Sequence, residues 1–260
     1  MSTLVSASAA NVADRLSPNS KTQQLYRLRL AENSREVEAA QRLRYRVFNV
    51  EMGEGLASAA ETGMDVDRFD AVCDHLLVEE IASNTLVGTY RVQMGERALA
   101  GAGFYSAQEF DFTPFLGRAS QIVELGRACV HIQHRNLVVL GLLWKGIANY
   151  AKERSGRYLI GCSSLTSQDP AEGQSLYLAL KDRHLASPDW QTCPMPGYEC
   201  LSEPLTTPVR APKLMSAYFS IGAKICGEPA LDAEFKTIDF LTLVDIQALP
   251  ASVAARYELQ

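Results

Sequence analysis

Long apolar runs are missing from this sequence. The longest, NLVVLGLLWKGIANYA at 136–151, is interrupted by Lys145 and falls short of the roughly 20 apolar residues that a membrane-spanning helix needs. Histidine is scarce, and the six cysteines (Cys73, Cys129, Cys162, Cys193, Cys200, Cys226) include no CxxC pair. Zinc ligands at their ordinary spacings are therefore excluded, no metal is expected, and the thiols read as reduced, buried groups of a cytoplasmic protein. A basic surplus is also absent. The net charge of −5 gives no general reason to expect nucleic acid as a partner, although it leaves room for a local basic patch. The opening MSTLVSASAANVADRLSPNS has neither the basic start nor the apolar core of a secretory signal. Its Ser, Ala and Asn content suggests a flexible leader over 1–22. No internal repeat or low-complexity tract follows, which leaves one domain over 23–260.

What is present alternates between short extended and helical patterns. QLYRLRLA (24–31) alternates as a strand does. NSREVEAAQRLRYRVFNVEM places Val37, Ala40, Leu43, Val47 and Phe48 at helical spacing, with Ser34 as its expected N-cap. Residues 53–66, rich in Gly, Ala and Ser, read as a mobile loop. Residues 67–94 read as two strands about a turn at Ser83–Asn84, and 104–116 as a short helix after a loop. QIVELGRACV (121–130) reads as a strand, and LVVLGLLWKGIANYAKERSG as an apolar helix ended by Gly156. YLIGCSSL is a strand, and DPAEGQSLYLALKDRH a helix with Asp169 as cap and Pro170 in its first turn. Residues 186–211 hold five of the eleven prolines and read as an irregular connection. PKLMSAYFSIGAK then reads as a helix and KTIDFLTLVDI as a last strand. The sum is an α/β (α+β) fold with a mixed sheet flanked by helices.

Charge sits beside apolar residues in four stretches: RYRVFNVE (44–51), DVDRFD (65–70), GTYRV (88–92) and VELGR (123–127). Singly, each has a plain explanation. Arg44 and Glu51 would form a solvated helix face, Asp67 and Asp70 would cap a turn, and Arg91 would pair with Glu124, since an unpaired buried charge is very costly. Taken in order, Arg44-x-x-x-Phe48, Asp67-x-x-Asp70, Gly88-x-x-Arg91 and Glu124-x-x-Arg127 resemble the pattern of acyl-homoserine-lactone synthases and their relatives in the GNAT superfamily. VELGRACV, LLWKGIANYA, LIGCSSL and GAKICGEPALDAEFKTIDFLTLVD are similar to the ornithine N-acyltransferases of ornithine-lipid synthesis, and to the broader hemolysin-like N-acyl amino acid synthases. The resemblance covers roughly residues 25 to 250.

That resemblance implies a GNAT-like, mostly antiparallel central sheet whose fourth and fifth strands splay, with helices on both faces. It implies transfer of a long-chain fatty acyl group, 3-hydroxylated chains included, from acyl carrier protein to the α-amine of an amino acid. Ornithine is favoured, and glycine, an aromatic amino acid or homoserine-lactone synthesis are the enzymatic alternatives. Residues 52–66 contain no Trp, which counts against the lactone synthases. An inactive GNAT-fold binding module is the alternative of another class. No cofactor is expected beyond the donor's own phosphopantetheine thioester. The pyrophosphate loop of coenzyme A-dependent acetyltransferases is reduced here to Arg135 and Gly141 in HRNLVVLG. Such a glycine-poor turn offers fewer backbone N–H groups to a pyrophosphate.

The candidate catalytic residues are Glu124, as general base, with Asp67 and Asp70. Arg44, Phe48, Arg91 and Arg127 are the candidate substrate-binding residues, the guanidiniums suiting an amino-acid carboxylate. Leu125, Gly126, Ala128, Cys129, Arg135, Gly141 and Trp144 are the candidate acyl and pantetheine contacts. A bulge in the strand would let Glu124 and Arg127 reach one side, and its opened edge would take the pantetheine like an added strand. Residues 135–184 carry seven Lys/Arg against four Asp/Glu, a surplus expected to face the acidic carrier protein. A lipid product also suggests peripheral contact with the inner membrane face.

Overall fold

The structure, a computed structural model, describes residues 25–257; the leader expected over 1–22 lies outside them. Strand β1 (Tyr26–Leu30) leads into helix α1 (Ser34–Tyr45). The cap is Asn33 rather than Ser34: its side chain accepts the Glu36 N–H at 3.2 Å, the usual way of satisfying a free helical donor. The helix runs on as π-type turns over Arg46–Met52. Residues 53–66 are more than a loop, because they form the short helix α2 (Ala59–Thr62) and bury Leu56 and Ala59. The hairpin of β2 (Asp74–Glu80) and β3 (Thr85–Met94) turns through Asn84 at φ 53°. Helix α3 (Gly95–Ala100) and two 3-10 segments, Ser106–Gln108 and Thr113–Gln121, lead to β4 (Ile122–Val130).

Helix α4 (Leu137–Glu153) does not end on Gly156 by left-handed geometry. Ser155 takes that conformation at φ 58°, and Gly156 is there for space, since a Cβ would stand 2.5 Å from Val123. Strand β5 (Tyr158–Leu165) and helix α5 (Pro170–His184) follow, the latter capped by Asp169 with Pro170 in its first turn. The proline-rich connection reaches α6 (Lys213–Ser220), then β6 (Lys224–Ile225), β7 (Ala230–Asp232), β8 (Thr237–Asp245) and α7 (Ala251–Arg256).

The eight strands of the described residues share one sheet, in the order β1-β2-β3-β4-β5-β8-β6, with β7 also paired to β8. Every pairing is antiparallel except that of β4 with β5. That parallel contact is brief, running only from Ile122↔Tyr158 to Glu124↔Ile160. Beyond it β4 follows β3 to Val130, while β5 follows β8 to Leu165. The strands therefore part at Glu124 and Ile160, leaving a wedge in the middle of the sheet. Gly161 sits at its vertex, where a Cβ would lie 2.2 Å from the Leu125 carbonyl oxygen.

The question raised by two opposite charges in β4 is answered by register. Thr89 pairs with Cys129 and Arg91 with Gly126, so Tyr90 alone stands against Arg127 and Ala128. This is a bulge of two residues against one, with Arg127 left-handed at φ 51°. Before the bulge Val123 and Leu125 pack under α4 with Tyr90, Leu143 and Ile147, and after it Ala128 and Val130 do. Arg127 is thereby carried to the opposite face, which it shares with Glu124. That face is covered by α1 and the π-type turns after it, through Leu43, Val47 and Phe48 against Cys129, and by a phenylalanine cluster around Phe110, Phe112 and Phe115.

Candidate functional site

Six charges gather on the α1 face beside the wedge. Arg44, in the last turn of α1 and 0% exposed, grips Asp70 with both terminal nitrogens, at 2.9 and 2.6 Å. It also donates to the Asp65 carbonyl oxygen. Arg91 donates to Asp67 at 2.6 Å and to Asp70 at 2.9 Å. Arg127 stands 3.4 Å from Asp65 and 3.2 Å from Asp67, its guanidinium lying over the rings of Tyr105 and Phe235. Three guanidiniums thus balance three carboxylates in a largely dry environment. Burial pushes the Asp70 carboxyl up, but Arg44 and Arg91 more than reverse this and hold it well below its ordinary 3.8. Asp67 is lowered in the same way by Arg91 and Arg127.

Two local pairings differ from expectation. Arg44 is no part of a solvated face: it is enclosed, while Glu51 reaches Arg135 instead. Arg91 does not pair with Glu124, because the register puts Arg91 opposite Gly126 and Gln93 opposite Glu124. Glu124, 4% exposed, accepts from Gln93 Nε2 at 2.8 Å and from the backbone N–H groups of Tyr105 and Ser106, each at 2.9 Å. It anchors the 105–106 turn at the wedge vertex. Its Oε2 takes two of these bonds and its Oε1 one.

The other candidate residues are spread more widely. Leu125 and Gly126 lie just past the vertex, and a Cβ on Gly126 would meet nothing within 4 Å. Ala128 and Cys129 belong to the two packed faces of β4. Phe48 packs edge-on against Phe235 at 5.2 Å and so supports the ring beneath Arg127. Arg135 is at the far end of β4, donating to the Val130 carbonyl oxygen at 3.0 Å. Gly141 is buried in α4. Trp144 packs against Tyr218 and Tyr257 and lines a small apolar cavity with Ala148, Leu159, Ile221 and Val253. The start of α4 is closed by its own cap, since Asn136 accepts from the N–H groups of Val138 and Val139. Arg46, facing His131 at 3.2 Å, and Arg135 flank it.

With this geometry in place, kinship is informative. A family model described as an acetyltransferase (GNAT) domain matches residues 43–145. An L-ornithine N(alpha)-acyltransferase of Agrobacterium fabrum is 38% identical over 248 residues, spanning 88% of this chain and 82% of that protein. One from Brucella abortus is 33% identical over 246 residues, 88% of each chain. The chain belongs to the L-ornithine N(alpha)-acyltransferase family. Among solved structures, FeeM, an N-acyl amino acid synthase from uncultured soil microbes, aligns with a TM-score of 0.52 at 12% identity, over 86% of this chain and 91% of its own. That likeness is one of fold.

This member of the family also brings together residues that pattern reading passed over. Asp65, adjacent to the Asp67-x-x-Asp70 motif, is fully buried between Arg44 and Arg127. Gln93 and Tyr105 attach to the motif residues by register and turn. Across the wedge, Glu109, Cys162 and Asp239 place their carboxylate and thiol atoms within 4.8 Å of one another. Asp232 and Glu54 are buried near Asp239. Burial, together with Asp239 and Asp232, pushes the Glu109 carboxyl well above the usual range. Burial likewise raises Asp239.

Proposed function

We propose that the chain transfers a long-chain fatty acyl group from the phosphopantetheine thioester of acyl carrier protein to the α-amine of ornithine, giving a lyso-ornithine lipid. The carrying observation is the wedge at Glu124 and Ile160, found in a chain 38% identical to an ornithine acyltransferase over most of both lengths. The unpaired edge of β4 beyond Glu124 would accept the pantetheine amides as an added strand. Its free N–H groups would steady the tetrahedral oxyanion. The amine nitrogen bonds to the acyl carbonyl carbon, the C–S bond breaks, and the thiolate leaves. Glu124 takes the amine proton, directly or through a water, on Oε1, which holds one hydrogen bond against two on Oε2. The arginine–aspartate cluster sets the face on which the amino acid lies, with Arg127 the guanidinium nearest the wedge and Asp67 Oδ2 still without a hydrogen bond.

The donor is proposed to be protein-bound because the α4 start is capped by Asn136 and offers a pyrophosphate little. Among the cations expected to face the carrier protein, Arg135 is engaged with Glu51, Arg154 with Glu153 and Arg157 with Asp245. Arg46, which faces His131, is the stronger candidate for the pantetheine phosphate, with Arg135 joining it where the phosphate displaces Glu51. Kinetics with matched donors test this. Acyl carrier protein should outperform the same acyl-coenzyme A, and Arg46→Glu with Arg135→Glu should weaken carrier-protein use while sparing a phosphate-free pantetheine thioester. Equal use of acetyl-coenzyme A would sink the donor assignment.

Among the described residues no helix is long and apolar enough to cross a membrane. Peripheral contact is proposed through the proline-rich connection, where Leu201 is 83% exposed and Met195 and Leu205 are also exposed. Liposome flotation should carry the protein upward with anionic vesicles. Recovery wholly in the unbound fraction, with anionic and neutral vesicles alike, would remove this part of the reading.

A further inference from the structure

The buried acids on the β5 side of the wedge take no part in the transfer chemistry above, and they lack what buried acids normally require. Glu109, Asp232, Asp239 and Glu54 are each at least nine-tenths buried. Four carboxyl groups so close together are expected to be compensated by cations. Yet among the described residues the groups that bond them carry no positive charge: Thr166 bonds Glu54, Cys162 bonds Glu109, the Phe235 N–H bonds Asp232, Ser164 lies against Asp239, and Glu109 and Asp239 lean on each other. Arg127 is the cation that acts on Glu109, and it is already committed to Asp65 and Asp67.

A second observation is independent of the acids. Two fully buried hydroxyls border the same acids, Ser106 Oγ within reach of the Cys162 thiol and Thr237 Oγ1 within reach of Asp239, and neither makes a hydrogen bond of good geometry. Asp239 Oδ1 is likewise unsatisfied. Orphaned buried polar atoms of this number in one place call for an explanation. Together they form a buried cluster of oxygen atoms whose acceptors match the three donors of an ammonium group.

Its position fits a particular ammonium. Cys162 lies two residues beyond Ile160 on β5, and Gly126 two beyond Glu124 on β4. Both therefore stand about 7 Å past the vertex at the usual rise of a strand. A thioester lying along Gly126 would have the cluster across the wedge, at the distance of a short aliphatic arm.

We propose that Glu109 and Asp239, with Asp232 and the Ser106 and Thr237 hydroxyls, bind the side-chain ammonium of the acceptor and so select a diamino acid over neutral ones. This rests on the N-acyltransferase reading and adds the residues that choose the substrate. A metal ion is the competing occupant, given a thiol and two carboxyls within reach. Burial and Glu109 hold the Cys162 thiol in its neutral form, which disfavours one.

The test compares ornithine with norvaline, the same skeleton without the ammonium, on wild type, Glu109→Gln and Asp239→Asn. Wild type should prefer ornithine. Either variant should lose about ten- to hundredfold of that preference, through the ornithine KM, as expected for one hydrogen bond to a charged group. An unchanged preference in an active variant would overturn the proposal. Should the variants fail to fold, the wild-type thermal shift decides: ornithine should raise the melting temperature well beyond norvaline, and equal shifts would overturn it. Stoichiometric metal surviving dialysis against chelator would overturn it too. A wild-type enzyme that acylates no amino acid would instead bring down the parent reading.

Discussion

Asp70→Asn is expected to lower the stability of the fold by about 3–5 kcal/mol, the usual cost of removing one partner from a buried ion pair. Asp70 accepts from Arg44 twice, from Arg91, and from Gln41 at 3.0 Å. Neutralising it leaves Arg44, 0% exposed, and Arg91, 3% exposed, with one negative charge fewer than positive. Against a typical total of about 5–15 kcal/mol, such a loss is a large fraction. Glu51→Gln at the half-exposed Arg135 pair should by comparison change stability by about 1 kcal/mol or less. Urea melts read both. The same site fixes an acid limit. Asp67 and Asp70 have folded-state values below the ordinary 3.8, so their contribution is fully present above that pH and is lost as the pH falls through the folded values. Wild type should keep its stability down to about pH 4 and lose it steeply below, and Asp70→Asn should flatten that acid limb. A wild-type urea midpoint in Asp70→Asn would show that the cluster does not hold the fold.

Much of this was legible from spacing, for physical reasons that can be named. The hairpin turn at Asn84, the Asp169–Pro170 start of α5 and the apolar stripe of α4 are local features, each set by residues within one turn or one element. The wedge and the bulge both followed from resemblance, and the bulge then explained how Glu124 and Arg127 could reach one side. What spacing could not supply was register. The bulge at Arg127 and Ala128 decides that Glu124 meets Gln93 and not Arg91, and no feature of either strand alone encodes it. Arg44 carries a charge in the last turn of a helix, an ordinary sign of exposure, and only the Asp65–Asp70 loop folded over it makes it buried. The acid cluster was the least legible part. Glu109, Cys162 and Asp239 come from the turn after a 3-10 segment and from two strands that are far apart in the chain, so no spacing rule joins them. A fainter signal was present in β8: TIDFLTLVD carries one acid at its end, Asp245, and another, Asp239, between apolar neighbours, where an acid needs a reason.

Glu124→Gln should reduce turnover by about 10²–10⁴-fold, the usual worth of a general base. The glutamine has the size of the glutamate but not its acceptor capacity, and the surroundings make this matter. Oε1 faces the Ser106 N–H, while Oε2 faces the Tyr105 N–H and the Gln93 amide. Whichever oxygen becomes an NH₂ group then confronts a donor. Gln93 could answer by turning its own amide, but that would give up its 3.2 Å bond to the Gly103 carbonyl oxygen. One unsatisfied buried donor costs about 1–3 kcal/mol, so the melting temperature should fall along with activity. The two effects separate cleanly. A stability loss of that size leaves the protein almost wholly folded at 25 °C and cannot by itself remove two or more decades of kcat. If Glu124 only anchors the 105–106 turn, kcat should recover at low temperature, where the turn is populated, and its dependence on pH should match wild type. If it accepts the amine proton, kcat stays depressed at every temperature at which the variant is folded, and the limb of the pH profile that belongs to the base disappears. Near-wild-type turnover in a folded Glu124→Gln would take the proton transfer away from this residue and leave Asp67, whose Oδ2 is ion-paired with Arg127 but accepts no hydrogen bond, as the carboxylate to examine next.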